Sequence, residues 1–257
     1  MIFKENLFKN KTFLVTGASS GIGADVALML NELGAKIIAV ARDEKKLLEQ
    51  QKKVKNKDNF LIISKDLSLY QELDKWALKL SKDINGFDGA ILSAGISLPL
   101  GLNAFDYIGV GIKTFNINYF ANMQILKGLV DKRSKIKDEA SFVLISSAAS
   151  KKPGKGMSLY GASKAAIDTS IKSLALEFAP KYRINSILPG YVSTPMVQNN
   201  SQRSGRDLNA IQQFYPLGIG KVENISPLIC FLLSKGSSWI TGQNFVIDGG
   251  GGISITF

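Results

Sequence analysis

Tyr160 and Lys164 stand four residues apart, Ser147 precedes the tyrosine by thirteen, and the run TGASSGIG occupies Thr16 to Gly23. A phenol can carry a proton, an ammonium beside it can tune that proton, and a hydroxyl can hold an oxygen on which charge develops. On a helix the four-residue step puts Tyr160 and Lys164 on one face. Free tyrosine has a pKa near ~10, too high for ready exchange at neutral pH, and a neighbouring cation favours the phenolate and lowers it. The glycine run can hold a dinucleotide. Together these residues point to hydride transfer between a nicotinamide and a carbonyl carbon, the hydride supplied by the cofactor and the proton by Tyr160.

Such residues act only if a scaffold brings them together. Short apolar runs suited to strands occur at Thr12 to Thr16, Lys36 to Ala41, Phe60 to Ser64, Gly89 to Leu92, Ser141 to Ser146, Arg183 to Leu188 and Asn244 to Ile247, with helical periodicity between them. That alternation predicts an α/β fold, a Rossmann-type doubly wound parallel sheet of about seven strands with helices on both faces, in a single domain over residues 1–257. Ligands bind such sheets beyond the carboxyl ends of the strands, and each motif falls at such an end. The glycine run follows the first strand and opens a helix with apolar positions Ile22, Val26, Met29, Leu30 and Leu33. Gly17, Gly21 and Gly23, with Ser19, Ser20 and Ile22 between them, let the backbone approach a pyrophosphate that sits on the free amides of the helix. The stretch Asn199 to Asp207 reads as a loop.

Composition excludes several alternatives. The chain has no histidine, which removes His-based metal sites and Ser-His-Asp hydrolysis, and no metal is expected. Cys230, the single cysteine, lies in the apolar run LICFLL and reads as a buried thiol. Met1 to Asn10 carries Lys4, Glu5 and Lys9 and does not resemble a secretory leader, and no run approaches the ~18–20 apolar residues of a membrane span. A cytoplasmic protein with no membrane partner is expected. The formal charge of +11 gathers between Arg42 and Lys57, between Lys127 and Lys137, and at Lys151, Lys152 and Lys155. Acidic residues interrupt the first two clusters, so they read as solvated surface and not as a nucleic-acid footprint. The third contains no acid and follows Ser147, which ties it to the site.

The order of these motifs, from about Asn10 to Gly250, resembles the short-chain dehydrogenase/reductase family, whose glycine pattern G-x-x-x-G-x-G matches Gly17, Gly21 and Gly23. The resemblance implies that Asp66 and Leu67 contact an adenine. Leu92 to Gly95 reads LSAG where the family usually has N-A-G, so Ser93, with Ala94 and Gly95, stands in place of the amide. Asn118 in FNINYFANM matches the family's structural and catalytic asparagine, implied to hold a water that connects Lys164 to solvent. The thirteen-residue spacing to Tyr160 selects Ser147 over Ser146 as the catalytic serine. Lys164 is implied to bind the nicotinamide ribose as well, and Val192 and Thr194 of LPGYVSTP to face the carboxamide. TGQNFVIDGG closes the sheet as in the family.

Cofactor choice can be read at the end of the second strand, where an Asp or Glu accepts from the ribose hydroxyls of NAD. Here Ala41 is followed by Arg42, whose planar fork suits a 2′-phosphate, and NADP(H) is favoured over NAD(H). The competing reading has Arg42 stacked on the adenine while Asp43 takes the ribose. Residues 196–220 form the expected substrate loop or lid, with Met196, Val197, Leu208, Ile211, Phe214 and Tyr215 as lining or as its own apolar face. The leading substrate is a 3-oxoacyl thioester, on resemblance to bacterial reductases and because a basic surface suits an acidic carrier protein. An anionic sugar or sugar nucleotide facing Lys151, Lys152 and Lys155 is the second reading. A non-catalytic dinucleotide sensor or assembly protein is the third, and the presence of Asn118, Ser147, Tyr160 and Lys164 weighs against it. The helices around Ala104 to Val130 and Tyr160 to Phe178 resemble those that pair in family tetramers, and the terminal ISITF is apolar, so a homotetramer is expected.

Overall fold

A computed structural model describes residues 2–204 and 208–252, side chains excepted at 203, 204, 208 and 209. Seven strands appear in chain order, β1 Thr12–Thr16, β2 Lys36–Ala41, β3 Phe60–Ser64, β4 Gly89–Leu92, β5 Ser141–Ile145, β6 Arg183–Pro189 and β7 Asn244–Ile247. They form one parallel sheet of order β3-β2-β1-β4-β5-β6-β7. The expected strands are all present, with β5 ending one residue before Ser146 and β6 running on to Pro189. The helices are α1 Gly21–Glu32, α2 Glu44–Gln51, α3 Leu73–Asp83, α4 Tyr107–Phe115, α5 Ala121–Val130, α6 Ser158–Phe178, α7 Pro195–Ser204, α8 Leu208–Gln212 and α9 Ser226–Leu233.

Alternation along each strand divides the core in two. Phe13 and Val15, Ile37 and Ala39 face α1 and α9 through Val26, Leu30 and Ile229. Leu14, Ile38, Val40 and Leu92 face the opposite layer of α3, α5 and α6 through Leu73, Ala77, Ile125, Leu129, Ile167 and Ile171. Strands covered on both faces read as nearly continuous apolar runs, which is why they were visible in the sequence. Each fully buried Leu or Ile contributes roughly 1.5–3 kcal/mol of transfer free energy, so the sheet is a stiff platform for the loops at its carboxyl edge.

Two local expectations are corrected. The helical stretch before β5 begins at Tyr107 and is widened by a π-turn over Asn116–Phe120 between α4 and α5. Asn199 to Ser204 are helical within α7, because the polar run lacks glycine until Gly205, while 205–207 lie outside the described residues. Residues 253–257, the terminal ISITF, lie outside them too. Among the described residues no helix is long and apolar enough to cross a membrane.

Candidate active site

The strand order reverses between β1 and β4, and the backbone is drawn tight there. Thr16, wholly buried at the end of β1, accepts through Oγ1 from the amides of Ser93 and Ala94 at 3.1 and 3.2 Å. A Cβ on Gly17 would lie 2.9 Å from the Ala94 nitrogen, and one on Gly23 would lie 2.5 Å from the Gly17 carbonyl oxygen. Gly17 also has φ of +68°, a conformation costly for any residue with a side chain. Glycine at these two positions is therefore a steric requirement, and the close approach leaves the amino end of α1 open at the cleft floor.

The cleft above it has a volume of about 520 Å³. Gly17, Ser19, Ser20, Gly21 and Ile22 line its floor, Arg42, Asp66 and Leu67 one end, and Ser93, Ala94 and Gly95 its middle. Ser147, Tyr160, Lys164, Val192 and Thr194 line the other end. Of the residues expected in the site, Gly23 and Asn118 stand apart from the cleft surface: Gly23 packs beneath Gly17, and Asn118 is fully buried behind Gly95.

Asn118 sits in the π-turn and is saturated. Its Oδ1 accepts from the Ile96 amide at 2.8 Å, and its Nδ2 donates to the Ile96 carbonyl at 3.0 Å and to Ser163 Oγ at 2.9 Å. The side chain thus ties the loop after β4 to α6, and the Asn118 main-chain carbonyl accepts from Asn122 Nδ2 at 2.7 Å. The polar atoms of this side chain are all engaged by protein partners.

Ser147 is not a strand residue. It caps a short 3₁₀ turn over Ala148–Ser150, with Oγ accepting from the Ala149 amide at 3.1 Å. That leaves the hydroxyl hydrogen for the Tyr160 phenol, with which it makes a hydrogen bond. A Cβ at Gly161 would approach the Ala149 carbonyl to 2.8 Å, so the serine turn and α6 can meet this closely only with glycine there.

The electrostatics differ from the simplest expectation. Burial pushes the Tyr160 phenol above its ordinary value, and the Ser147 hydrogen bond only partly opposes that. Lys164 Nζ lies 5.9 Å from the Tyr160 ring centroid and donates to the Ile145 carbonyl at 2.7 Å. Lys164 is 4% exposed, and burial depresses it to about 8 while Asp168 pulls it up. Desolvation of the phenol outweighs the Ser147 hydrogen bond, so its proton is held more tightly than in free tyrosine. A phenol that keeps its proton at neutral pH is a competent donor to a developing alkoxide.

At the adenosine end, Asp43 lines the cleft while one of its oxygens is engaged locally. It caps α2, accepting from the Lys46 amide at 3.1 Å. The cleft wall presents Asp43 together with three cations, Arg42, Lys46 and Lys65. The Ser68 amide and hydroxyl hold Asp66 below the usual carboxylate range, with Arg42 and Lys65 acting the same way. Lys46 and Lys65 were missed in the sequence, where nothing distinguishes them from other surface lysines. On the substrate side Met196 and Val197 line the cleft, but Ile211, Phe214 and Tyr215 do not. Phe214 is exposed, Tyr215 packs on Tyr191 with ring centroids 6.1 Å apart, and the Leu208 side chain lies outside the described residues.

A cleft at the switch point of a seven-stranded parallel sheet, floored by a glycine turn and walled by Ser147, Tyr160 and Lys164, defines an oxidoreductase that binds a nicotinamide dinucleotide. Residues 17–251 match the family model described as enoyl-(acyl carrier protein) reductase. The 3-oxoacyl-(acyl-carrier-protein) reductase of Rickettsia typhi is 33% identical over 251 residues, covering 95% of this chain and 97% of that protein. The L-xylulose reductase of Caenorhabditis elegans is 31% identical, covering 95% and 96%. A glucose/ribitol dehydrogenase-type structure from Brucella melitensis superposes with a TM-score of 0.87 at 26% identity, over 96% of this chain and 98% of that one. The chain belongs to the short-chain dehydrogenase/reductase family.

Proposed function

We propose that the protein is an NADP(H)-dependent reductase of 3-oxoacyl thioesters, with Tyr160 as proton donor. The observation that carries the reading is the meeting of Ser147 with a half-buried Tyr160, whose phenol desolvation holds above its ordinary value, at one end of the cleft whose floor is the glycine turn. The residues fit a dinucleotide: Gly17 and Gly23 let the main chain pack tightly beneath the cleft floor, and α1 opens toward it. When bound, the nicotinamide supplies the hydride. Gly17 to Ile22 would hold the pyrophosphate, Asp66 and Leu67 the adenine, Ser93 to Gly95 the central portion, and Val192 and Thr194 the carboxamide side. Arg42 would take a 2′-phosphate, an assignment favoured by the commitment of Asp43 to capping α2.

Within that frame Ser147 orients the carbonyl oxygen through its hydroxyl, and Tyr160 releases its proton to that oxygen as charge develops. Lys164 fixes the ribose end of the cofactor and stabilises the phenolate left behind. Asn118 sets the loop after β4 against α6. Residues 196–220 complete the substrate pocket, with Met196 and Val197 nearest the cleft. The relatives named as 3-oxoacyl-(acyl-carrier-protein) reductases and the exposed Lys151, Lys152 and Lys155 beside the Ser147 turn support a substrate borne on an acidic carrier protein. The exposed apolar row of Phe105, Ile108 and Ile112 on and before α4 supports assembly with further copies, as a homotetramer.

The test is NADPH consumption with a short 3-oxoacyl thioester, for the unmodified protein and Tyr160→Phe. Loss of the proton donor is expected to lower kcat by roughly 10²–10⁴-fold with little change in NADPH affinity. An inactive unmodified protein would overturn the thioester reading and direct the search to sugar and sugar-nucleotide ketones.

A further inference from the structure

One buried carboxylate near the site has no part in the chemistry above. Asp168 lies four residues beyond Lys164 on α6, so Tyr160, Lys164 and Asp168 form one stripe along the helix. It is 3% exposed. Oδ2 accepts from Ser150 Oγ at 2.5 Å, while Oδ1 is buried without a hydrogen-bond partner among the described residues. Ser150 is the last residue of the 3₁₀ turn that Ser147 caps, and its amide donates to the Ser147 carbonyl at 3.0 Å. The Asp168 carbonyl accepts from Asn244 Nδ2 at 3.0 Å, which fixes this part of α6 to β7.

A buried, half-satisfied carboxylate is costly unless a charge compensates it. The charged side chains of the surrounding elements narrow the choice. From β6, Arg183 is spent on the carbonyls of Leu232, Ser234 and Ser237. From α4, Lys113 is exposed, as are Lys151 and Lys152 beyond the serine turn and Lys172 one turn further along α6. The β5 and β7 strands and the π-turn carry none. Lys164 remains, and Asp168 is the carboxylate whose field reaches it, with Tyr160 the other titratable group beside it.

We propose that Asp168 is a positioning residue for the site: through Ser150 it fixes the turn that presents Ser147, and across one helical turn it keeps the Lys164 amine charged. The inference rests on the roles given above to Ser147, Tyr160 and Lys164. Burial alone depresses Lys164, and a neutral lysine can neither stabilise a phenolate nor bond ribose hydroxyls as a cation. One carboxylate thus couples the geometry of the serine to the charge of the lysine.

The experiment follows the Cε resonances of protein labelled with ¹³C-lysine through a pH titration, with Lys164 assigned by its loss in Lys164→Arg. In the unmodified protein Lys164 is expected to titrate near about 8, apart from the surface lysines. Asp168→Asn is expected to move that midpoint down by on the order of one unit. Ser150→Ala keeps the carboxylate and is expected to leave the midpoint in place while lowering kcat several-fold. An unchanged midpoint in folded Asp168→Asn would overturn the proposal and reduce Asp168 to a packing clamp. Should that variant not fold, the Asp168 Cγ resonance of the unmodified protein decides, since it must inflect at the pH where Lys164 titrates, and its absence overturns the coupling. The titration needs no substrate, so it remains readable if the thioester reading fails.

Discussion

The two ends of the cleft are built by opposite means. Where the dinucleotide would lie, the wall is backbone against backbone: Thr16 against Ser93 and Ala94, Gly17 against Ala94, Gly23 against Gly17. On the substrate side, beyond Thr194, it is made of side chains on α7 with few packing partners, and Met196 is 37% exposed. A wall made of main chain admits almost no substitution, whereas a wall of half-exposed side chains can be remodelled without disturbing the sheet. A common cofactor framework and a variable substrate are what this division allows, and it is mirrored in relatives named for acyl-carrier-protein and for sugar substrates.

The sharpest way to break the contrast is to place one methyl group in the tight wall. Gly23→Ala puts a carbon 2.5 Å from the Gly17 carbonyl oxygen, inside any tolerated contact and against main chain that cannot swing away. Overpacking of this kind costs roughly 1–3 kcal/mol, and here it must be met by displacing the turn proposed to hold the pyrophosphate. Dinucleotide affinity, read by quenching of protein fluorescence, is expected to fall about 10–100-fold. Retained affinity would show that the turn relaxes freely and that the wall is not rigid.

A smaller effect is expected at the adenosine end, where side chains meet the backbone cradle. Arg42→Ala removes a charged, forked donor, and a hydrogen bond to a charged group contributes about 1.5–3 kcal/mol, or roughly 10–150-fold in KM for NADPH. KM for NADH should hardly move. Residual preference for NADPH would then fall to Lys46 and Lys65, which line the same wall. Equal loss with both cofactors would instead mean that Arg42 supports the adenine and does not read the phosphate.

The same division explains how much the sequence disclosed. Strands covered on both faces leave unbroken apolar runs, so β1, β2, β4, β5 and β6 were legible within a residue or two, and the edge strands β3 and β7, with Leu61 and Val246 exposed, by their short apolar runs. Gly17 and Gly23 were legible because a steric demand leaves only one residue type. Ser147, Tyr160 and Lys164 were legible by spacing, since a fixed turn and helix separate them. What escaped depends on through-space arrangement. The π-turn that buries Asn118, the capping by Asp43, and the placement of Lys46 and Lys65 follow from how distant segments meet. The tyrosine–lysine pair shows the same limit: spacing placed the cation on the right face, but only the surroundings of the phenol reveal that desolvation raises it. On the substrate side, the apolar residues of 208–215 read equally as lining or packing, and Phe214 and Tyr215 proved to lie off the cleft.

The smallest effect should come from that last wall, and it tests the contrast most directly. Met196→Ala removes a flexible, partly exposed side chain that lines the cleft, so little buried area is lost and no backbone needs to move. Surface substitutions of this type usually stay within about 0.5 kcal/mol in stability. Thermal unfolding and NADPH affinity should therefore match the unmodified protein. The Michaelis constant for an apolar acyl substrate should rise, because a few lost methylene contacts are worth roughly 1–3 kcal/mol in a hydrophobic pocket and less in one this open. If the loss grows with acyl length, Met196 lies along the chain-binding path. If NADPH affinity falls as well, the α7 wall and the glycine cradle are not independent, and the contact of Gly21 with the Thr194 methyl, where an added Cβ would sit at 3.3 Å, is the place through which they couple.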